Sequence, residues 1–408
     1  MKRILRKVTS ICIATAVVAA MGLASLAAEN IGGNGTVVGD KDPANPREAT
    51  LIIEKELTAY NPETTQVYAP NITFTYAIAG IDAQKVVTDS DGVKATTKQG
   101  PDGATITSTI SWANTELINA SSAGESNKKD ITIDLSGVAF TGAGVYRYQI
   151  TETCTGKAAA GVTDGTIAET RYLDVYVRDP KSGETGYQIY GYVLFENNNN
   201  IDATSTTTDT VAEAVKTEGF VKTDSLSADS YYTYNATVSK TLVNDSANAG
   251  HGFPFEFVFT KATGVTGDFN LVASYQTAAL AMADSVTTTI ANGASVKYTG
   301  IPCGTKVDII ETNDIATAAY KVTTTGADAN ISDKLVNYNE NTGATAVEIN
   351  TTAIDTAAAS NFTVAFTNTF ALISPTGVAM SVIPFVILLG FGIGFMVVST
   401  KRRKEDQA

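Results

Sequence analysis

The sequence is poor in the residues on which most enzyme and metal sites depend. Its 408 residues include one histidine, His251, and three cysteines, of which Cys12 lies in an apolar run near the N-terminus. The other two, Cys154 and Cys303, are too few for a disulfide framework in a chain of this length. No stretch matches a phosphate loop, a Rossmann fingerprint or a nucleophile elbow. We therefore expect a protein that is not an enzyme, with no metal site and no cofactor.

Basic residues are also in deficit. The chain has 29 Lys and Arg against 42 Asp and Glu, which gives a formal net charge of −13. A nucleic-acid-binding surface needs a basic footprint. The charge balance therefore argues against nucleic acid as a partner, whereas an acidic surface keeps an exposed protein soluble.

The N-terminal residues 1–27 predict a secretory signal peptide. Four basic residues precede an apolar run over residues 11–26, and small residues follow at the expected cleavage point. Residues 28–47 are rich in Gly, Asn and Pro and predict a flexible lead-in. The mature protein is therefore expected outside the cytoplasm.

An apolar segment near the C-terminus predicts a single transmembrane helix. Residues 378–400 are uncharged and long enough to cross a bilayer, and the basic tail 401–408 would stay on the cytoplasmic side. Directly before the helix stands the pentapeptide Ile373, Ser374, Pro375, Thr376, Gly377. Residues 372–408 thus resemble the cell-wall sorting signal of Gram-positive surface proteins, which a sortase cleaves between Thr and Gly. The commoner motif has its proline three residues before the glycine, whereas here it stands two before.

Between these ends, short alternating segments rich in Thr, Val, Ile, Tyr and Phe are separated by polar turns, which is typical of an all-β sandwich protein. The stretch is too long for one sandwich, and an internal repeat supports two. The repeated pairs of segments are 50–57 with 72–76 and 234–242 with 253–257. We predict two tandem domains, 48–230 and 231–371, with a polar insertion near 197–218 in the first.

Three polar residues of the second domain fall on strand faces that are otherwise apolar. Side chains alternate between the faces of a strand, and Lys240, Glu311 and Asn368 each share a face with apolar neighbours. One interpretation is a buried Lys–Glu pair hydrogen-bonded by the Asn, or strand ends that reach water. The other is an intramolecular isopeptide bond, because desolvation lowers the pKa of a buried lysine and leaves a neutral, nucleophilic amine.

Three stretches resemble the major backbone pilins of the streptococcal type, which sortases assemble into fibres. They are residues 144–152, residues 366–368 and residues 375–382. The resemblance covers nearly all of the exported part. It implies two Ig-like, CnaB-like domains, each with a Lys–Asn isopeptide bond between its first and last strands that a Glu promotes. Carried over by position, the bond would join Lys240 to Asn368, with Glu311 promoting it.

The first domain matches that pattern less completely. Lys55 and Glu152 each share a strand face with apolar residues and stand where the amine and the promoting acid are expected. The segment 219–224, where the last strand is expected, contains no asparagine, and Lys222 stands at the position of the missing one.

Two acceptors for Lys55 therefore remain open. Asp224 is in phase with Phe220 and would release water instead of ammonia, and it ranks first. Asn197, which follows Phe195 at the end of the preceding strand, ranks second. A domain without the bond is the third interpretation.

The resemblance further implies a covalent polymer. A sortase would transfer the Thr376 acyl group to a lysine amine of another copy. The family's acceptor lysine lies a few residues before the last strand of the first domain, which points to Lys216, with Lys222 and Lys181 as alternatives. The implied partners are a pilin-type sortase, further copies in a head-to-tail polymer, and tip or basal pilins.

The implied location is the cell wall or surface fimbria of a Gram-positive bacterium, with the membrane holding the precursor only transiently through its C-terminal helix. The alternative is a monomeric, sortase-anchored surface adhesin that binds a host or partner ligand. Such a protein needs the sorting signal but no acceptor lysine.

Overall fold

The computed structural model describes residues 29–31, 36–38, 48–88, 94–199, 215–244, 250–312, 319–325, 344–350 and 361–369. The predicted signal peptide, the sorting motif, the apolar segment 378–400 and most of the polar insertion lie outside these residues. Within the described ranges, no helix is long and apolar enough to cross a membrane. The fold is all-β, as the alternating sequence predicts, with a short 3-10 helix at Ala158–Ala160.

The strands of the first half of the chain are short apart from six that have eight or more residues. They are β1 (Glu29–Asn30), β2 (Thr36–Val38), β3 (Thr50–Tyr60), β4 (Thr65–Tyr68), β5 (Ile72–Gly80), β6 (Val86–Thr88), β7 (Lys94–Thr96), β8 (Lys98–Gln99), β9 (Thr105–Ile106), β10 (Thr109–Trp112), β11 (Leu117–Ala120), β12 (Glu125–Asp134), β13 (Gly144–Thr153), β14 (Val162–Thr163), β15 (Thr170–Arg178), β16 (Gln188–Phe195) and β17 (Gly219–Phe220).

The strands of the second half begin with the longest in the described chain. They are β18 (Asp229–Val243), β19 (Gly252–Thr260), β20 (Asn270–Ala273), β21 (Leu280–Ala281), β22 (Ser285–Ala291), β23 (Ser295–Pro302), β24 (Lys306–Thr312), β25 (Ala319–Thr325), β26 (Ala344–Asn350) and β27 (Asn361–Thr369).

Two sheets pack together in the first half. One has the order β9–β12–β3, and β3 also pairs in parallel with β1, β17 and the start of β18. The other has the order β10–β5–β13–β15–β16–β2, with β8 beside β13. Their facing side chains meet in the core, where the rings of Tyr76 on β5 and Phe220 on β17 lie 5.5 Å apart.

The second half has the same two-sheet plan. One sheet runs β21–β20–β23–β18–β27–β25, and the other runs β22–β19–β24–β26. The ring centroids of Phe255 on β19 and Phe366 on β27 lie 5.0 Å apart and join the two sheets. Alternation along β27 buries Phe362, Val364 and Phe366 on one face.

Strand β18 belongs to both halves. Its first residues, Asp229–Tyr232, pair in parallel with β3, and from Thr233 onward it pairs with β23 and then also with β27. Its sequence contains neither Gly nor Pro and is rich in Tyr, Thr and Val, which favours an uninterrupted strand. The predicted domain boundary between residues 230 and 231 therefore falls inside this strand.

The two halves touch through a buried pair of carboxamides. The Nδ2 atoms of Asn61 and Asn235 each donate to the other residue's Oδ1, at 3.0 and 2.9 Å. Next to them, the rings of Tyr60 and Tyr232 stack with centroids 4.5 Å apart. Because these polar groups satisfy each other, they can be buried at the joint without an unpaired donor.

Part of the predicted flexible lead-in is paired. Strand β1 lies parallel to β3 with Ile31 fully buried behind it, and β2 pairs with β16. The lead-in is therefore not flexible throughout, because these two short segments complete the edges of both first-half sheets.

Candidate functional site

Three polar side chains meet in the core of the second half and form the Lys240 cluster. Lys240 extends from β18, Glu311 from β24 and Asn368 from β27, and none of the three is exposed. The Nζ of Lys240 donates to Oε1 of Glu311 at 2.5 Å, and the Nδ2 of Asn368 donates to the same oxygen at 3.0 Å. Because both donors meet at one oxygen, the amine and the carboxamide are held side by side.

The surroundings of this cluster are apolar. The Nζ of Lys240 lies 4.4 Å from the ring centroid of Phe253. Burial lowers the pKa of Lys240 below its ordinary value, although the neighbouring carboxylate of Glu311 opposes this. A lower pKa increases the fraction of neutral amine, which is the nucleophilic form. The cluster therefore has the chemistry needed to acylate a lysine with a carboxamide.

Two atoms of the Lys240 cluster are buried without a hydrogen-bond partner among the described residues. They are Oε2 of Glu311 and Oδ1 of Asn368. An unpaired buried oxygen costs on the order of 1–3 kcal/mol.

A second polar cluster, the Lys55 cluster, lies in the core of the first half. The Nζ of Lys55 donates to Oε1 of Glu152 at 2.8 Å and to Oδ2 of Asp229 at 2.7 Å. The three residues are 2–4% exposed. The hydroxyl of Tyr76 donates to Oε2 of Glu152 at 2.7 Å, and the Phe74 ring centroid lies 4.1 Å from the lysine Nζ.

The two clusters occupy the same place in their sheets. In each, the acid or amide lies in parallel register opposite the residue two positions after the lysine: Asp229 opposite Leu57, and Asn368 opposite Leu242. Asp229 is therefore the first-half counterpart of Asn368.

The glutamates of the two clusters follow the same rule. Glu152 pairs with Tyr76 across β13 and β5, and Glu311 pairs with Phe255 across β24 and β19. Two residues before each of these partners stands the phenylalanine that contacts the lysine. The clusters thus differ in two respects. The Lys55 cluster has an acid where the Lys240 cluster has an amide, and it has a tyrosine hydroxyl where the Lys240 cluster has none.

The structure corrects the acid predicted to face Lys55. Asp224 is exposed in the loop between β17 and β18, where the N–H of Thr223 bonds to the carbonyl of Leu226 in a turn. The turn breaks the strand phase that linked Asp224 to Phe220. Asn197 is half-buried just after β16, and neither it nor Asp224 contacts Lys55 among the described contacts, in which Asp229 takes that place.

Asp229 has further partners on the side away from Lys55. Its Oδ1 accepts from the Nζ of Lys157 at 3.1 Å and from the backbone N–H of Gly165 at 3.0 Å. Burial raises the pKa of Asp229, but Lys55 and the Gly165 N–H more than offset this, so its pKa lies below its ordinary value. Sequence reasoning missed Asp229, Lys157 and Gly165 because turns and loops bring them together.

The lysines proposed as intermolecular acceptors all lie on the surface. Lys216 is exposed beside β16, to which its backbone forms a bridge at Phe195. Lys222 is exposed with its Nζ 3.7 Å from Oε1 of Glu56, and Lys181 is exposed in the turn after β15. The sorting motif to which such a lysine would be joined lies outside the described residues.

Comparisons with known proteins give one family match. The model of the family described as "Domain of unknown function (DUF7601)" matches residues 234–369, which include all three members of the Lys240 cluster. A search of the curated proteins finds no match to this chain.

Solved structures offer distant similarities. A major pilin of Streptococcus pyogenes is 17% identical over 83% of this chain and 100% of its own, with a TM-score of 0.40. A second major pilin of Streptococcus pyogenes is 18% identical over 78% of this chain and 99% of its own, with a TM-score of 0.39. A pilus-presented adhesin is 16% identical over 48% of this chain and 36% of its own, with a TM-score of 0.23.

Proposed function

We propose that the chain is the structural subunit of a covalently polymerised pilus on a Gram-positive cell surface. It would consist of two tandem Ig-like, CnaB-like β-sandwich domains, each stiffened by one intramolecular isopeptide bond. The observation that supports this most directly is the recurrence of a buried Lys–Glu–acyl cluster at the same sheet register in both halves. A buried ion pair needed only for stability is easily replaced by apolar residues.

In the second domain, the bond would join Lys240 to Asn368 with loss of ammonia. The neutral amine attacks Cγ of Asn368, the new bond forms between Nζ and Cγ, and the bond from Cγ to Nδ2 breaks. Glu311 takes a proton from the lysine nitrogen and delivers it to the departing nitrogen, as its contacts with both groups favour. Atoms and protons balance without any outside reactant.

In the first domain, the bond would join Lys55 to Asp229 with loss of water. The lysine ammonium and the carboxylate together contain the atoms of one amide and one water molecule. Glu152 contacts the Nζ of Lys55 at 2.8 Å and is placed to relay protons from it. The acceptor proposed here replaces Asp224 and Asn197, which lie elsewhere.

Assembly would use the C-terminal motif. A pilin-type sortase would cleave between Thr376 and Gly377 and join the Thr376 carbonyl to a lysine of the next copy. Lys216 is favoured as that lysine because it is exposed and lies three residues before the start of β17. The transmembrane helix would hold the precursor only until cleavage, and tip or basal pilins would join the fibre by the same chemistry.

Two measurements test this proposal. The intact mass of the full-length chain should fall short of its sequence mass by one ammonia and one water molecule, and a mass equal to the sequence mass would rule out both bonds. Denaturing gels of cell-wall extracts should show a ladder of high-mass species that disappears when the sortase gene is removed. A single band already present in the wild type and unchanged in the Lys216→Arg variant would instead indicate a monomeric, anchored adhesin.

A further inference from the structure

Two further hydrogen-bond donors, to which the proposed reaction assigns no role, lie on the side of Asp229 that faces away from Lys55. Lys157 Nζ and the Gly165 N–H both point at Oδ1, whereas Lys55 meets Oδ2. The two oxygens of one carboxylate are therefore held by different groups. This separation matches the different fates that two carboxylate oxygens have when a carboxylate becomes an amide.

We propose that Lys157 and the backbone N–H of Gly165 form an oxyanion hole that promotes the Lys55–Asp229 bond. The inference rests on the proposed first-domain bond. Oδ1 would carry the negative charge of the tetrahedral intermediate and remain as the amide oxygen. Oδ2 would depart as water.

The proton balance supports this division. The Lys55 ammonium gives one proton to Glu152, which passes it to Oδ2, and the free amine attacks Cγ while a C–O electron pair moves onto Oδ1. The attacking nitrogen then loses a second proton to Glu152. The electron pair on Oδ1 re-forms the double bond, the bond from Cγ to Oδ2 breaks, and the Glu152 proton completes the water molecule. Glu152 ends in the protonation state in which it began.

The hydrogen bonds from Lys157 and Gly165 to Oδ1 become stronger as the reaction proceeds. In the starting carboxylate, the charge is shared between both oxygens, and Lys55 balances the part on Oδ2. In the intermediate, the charge is concentrated on Oδ1, where Lys157 and Gly165 bind. Only interactions that are stronger in the transition state than in the ground state raise a rate.

Lys157 is held as a cation at this position. Its Nζ lies 2.8 Å from Oδ1 of Asp164 and 3.1 Å from Asp229, and its side chain is 11% exposed. Burial opposes the charged form, but these two acids outweigh it and raise the pKa of Lys157 above its ordinary value. A fixed, partly desolvated ammonium stabilises an adjacent oxyanion more than a solvated one does.

The Gly165 donor is positioned by a close backbone contact. A Cβ at this residue would lie 2.3 Å from the carbonyl oxygen of Ser227, so no other residue fits without movement. The following residue, Thr166, bonds to Ser227 through its N–H at 2.9 Å and accepts the N–H of Ser227 at its own hydroxyl at 2.9 Å. The loop is thus clamped two residues before Asp229, with the Gly165 N–H aimed at its carboxylate.

The Lys240 cluster offers the contrast. Among the described residues, Oδ1 of Asn368 has no hydrogen-bond donor. Its acyl group is a carboxamide, which is more electrophilic than a carboxylate and carries no charge to overcome. An anionic acceptor such as Asp229 therefore has the greater need of a cationic donor.

The experiment compares rates of bond formation. Full-length chain and its Lys157→Met variant are made by cell-free synthesis, synthesis is stopped, and water loss is followed by intact mass. Removing one oxyanion donor lowers rates by about 100- to 1000-fold, and we expect water loss in Lys157→Met to slow by an amount of that order. Lys157→Arg, which restores a cation, should recover part of the rate.

Two internal readouts separate this role from a structural one. Ammonia loss at the Lys240 cluster should keep its wild-type rate in Lys157→Met, and Lys181→Met, which removes an exposed lysine in the turn after β15, should leave both rates unchanged. If Lys157→Met folds poorly, Lys157→Gln keeps a donor without the charge and should be slow in the same way. Water loss at the wild-type rate in both variants would overturn the oxyanion hole. Absence of water loss from the wild-type chain would instead overturn the Lys55–Asp229 bond itself.

Discussion

Asp229 and Lys240 lie on one uninterrupted strand, β18, and each belongs to a different polar cluster. Their Cα atoms are about 36 Å apart for an extended strand. If the second isopeptide bond forms, tension that enters from the neighbouring copy at Lys216 runs along the backbone to Asp229, follows β18 to Lys240 and leaves through the bond to Asn368. Sheet hydrogen bonds flank this path but do not lie in series with it.

Mechanical extension should therefore depend on the second bond. In Glu311→Gln, which keeps the shape of the side chain but cannot shuttle protons, the chain between Lys240 and Asn368 can unravel. Single-molecule pulling should then show an added extension of roughly 400 Å, since each released residue adds about 3.4 Å. The wild-type chain should show no such step. An equal step in both proteins would place the force path elsewhere.

Thermodynamic stability should fall in the same variant. Closing a loop as long as that between Lys240 and Asn368 stabilises a protein by about 5 kcal/mol in the chain-entropy treatment of a crosslink. Denaturant unfolding of Glu311→Gln should show a loss of that order relative to wild type. Glu256→Gln, on the neighbouring strand β19, is the matched control and should retain both the bond and the stability.

A variant that cannot form the second bond should gain stability as the pH rises. In Asn368→Ala, Lys240 remains a free amine, and burial lowers the pKa of this amine in the folded protein. Between that lowered value and the unfolded lysine pKa of about 10.4, the unfolded chain binds more protons, so the free energy of unfolding increases with pH. Denaturant titrations at a series of pH values should show this slope in Asn368→Ala and not in the bonded wild type.

The acid that accepts Lys55 can be identified by two paired substitutions. Asp229→Ala should abolish water loss because Asp229 contacts Lys55, whereas Asp224 does not do so among the described contacts. Asp224→Ala, at an exposed turn, should lose water as the wild type does. Intact mass shows whether each variant has lost water. Water loss in Asp229→Ala but not in Asp224→Ala would identify Asp224 as the acceptor.

Local alternation in the sequence predicts much of the fold and part of the site. A period of two along β3, β13 and β18 places Lys55, Glu152 and Lys240 among buried neighbours, because each of these residues lies within a regular strand. It also predicts the all-β fold. The alternation of buried and exposed residues does not continue through a turn. The turn at Thr223 therefore changes which residues face the core before Asp229 is reached.

Other parts of the site depend on tertiary structure alone. Lys157 and Gly165 come from the loops on either side of β14, and the register of β18 against β3 brings Asp229 to them. The sharing of β18 between the halves was also missed. Its sequence is continuous, whereas a domain boundary is ordinarily sought in a linker.

The position of β18 has a consequence for proteolysis. With both bonds formed, a single backbone cut anywhere between Lys55 and Asp229, or between Lys240 and Asn368, leaves the two fragments covalently joined. Within the span from Lys55 to Asn368, residues 230–239 alone lie outside both closed loops, and they run through the middle of the sheets, paired first with β3 and then with β23 and β27. The stretch where a single cut would separate the two bonded halves is thus a strand that is mostly buried in the folded protein.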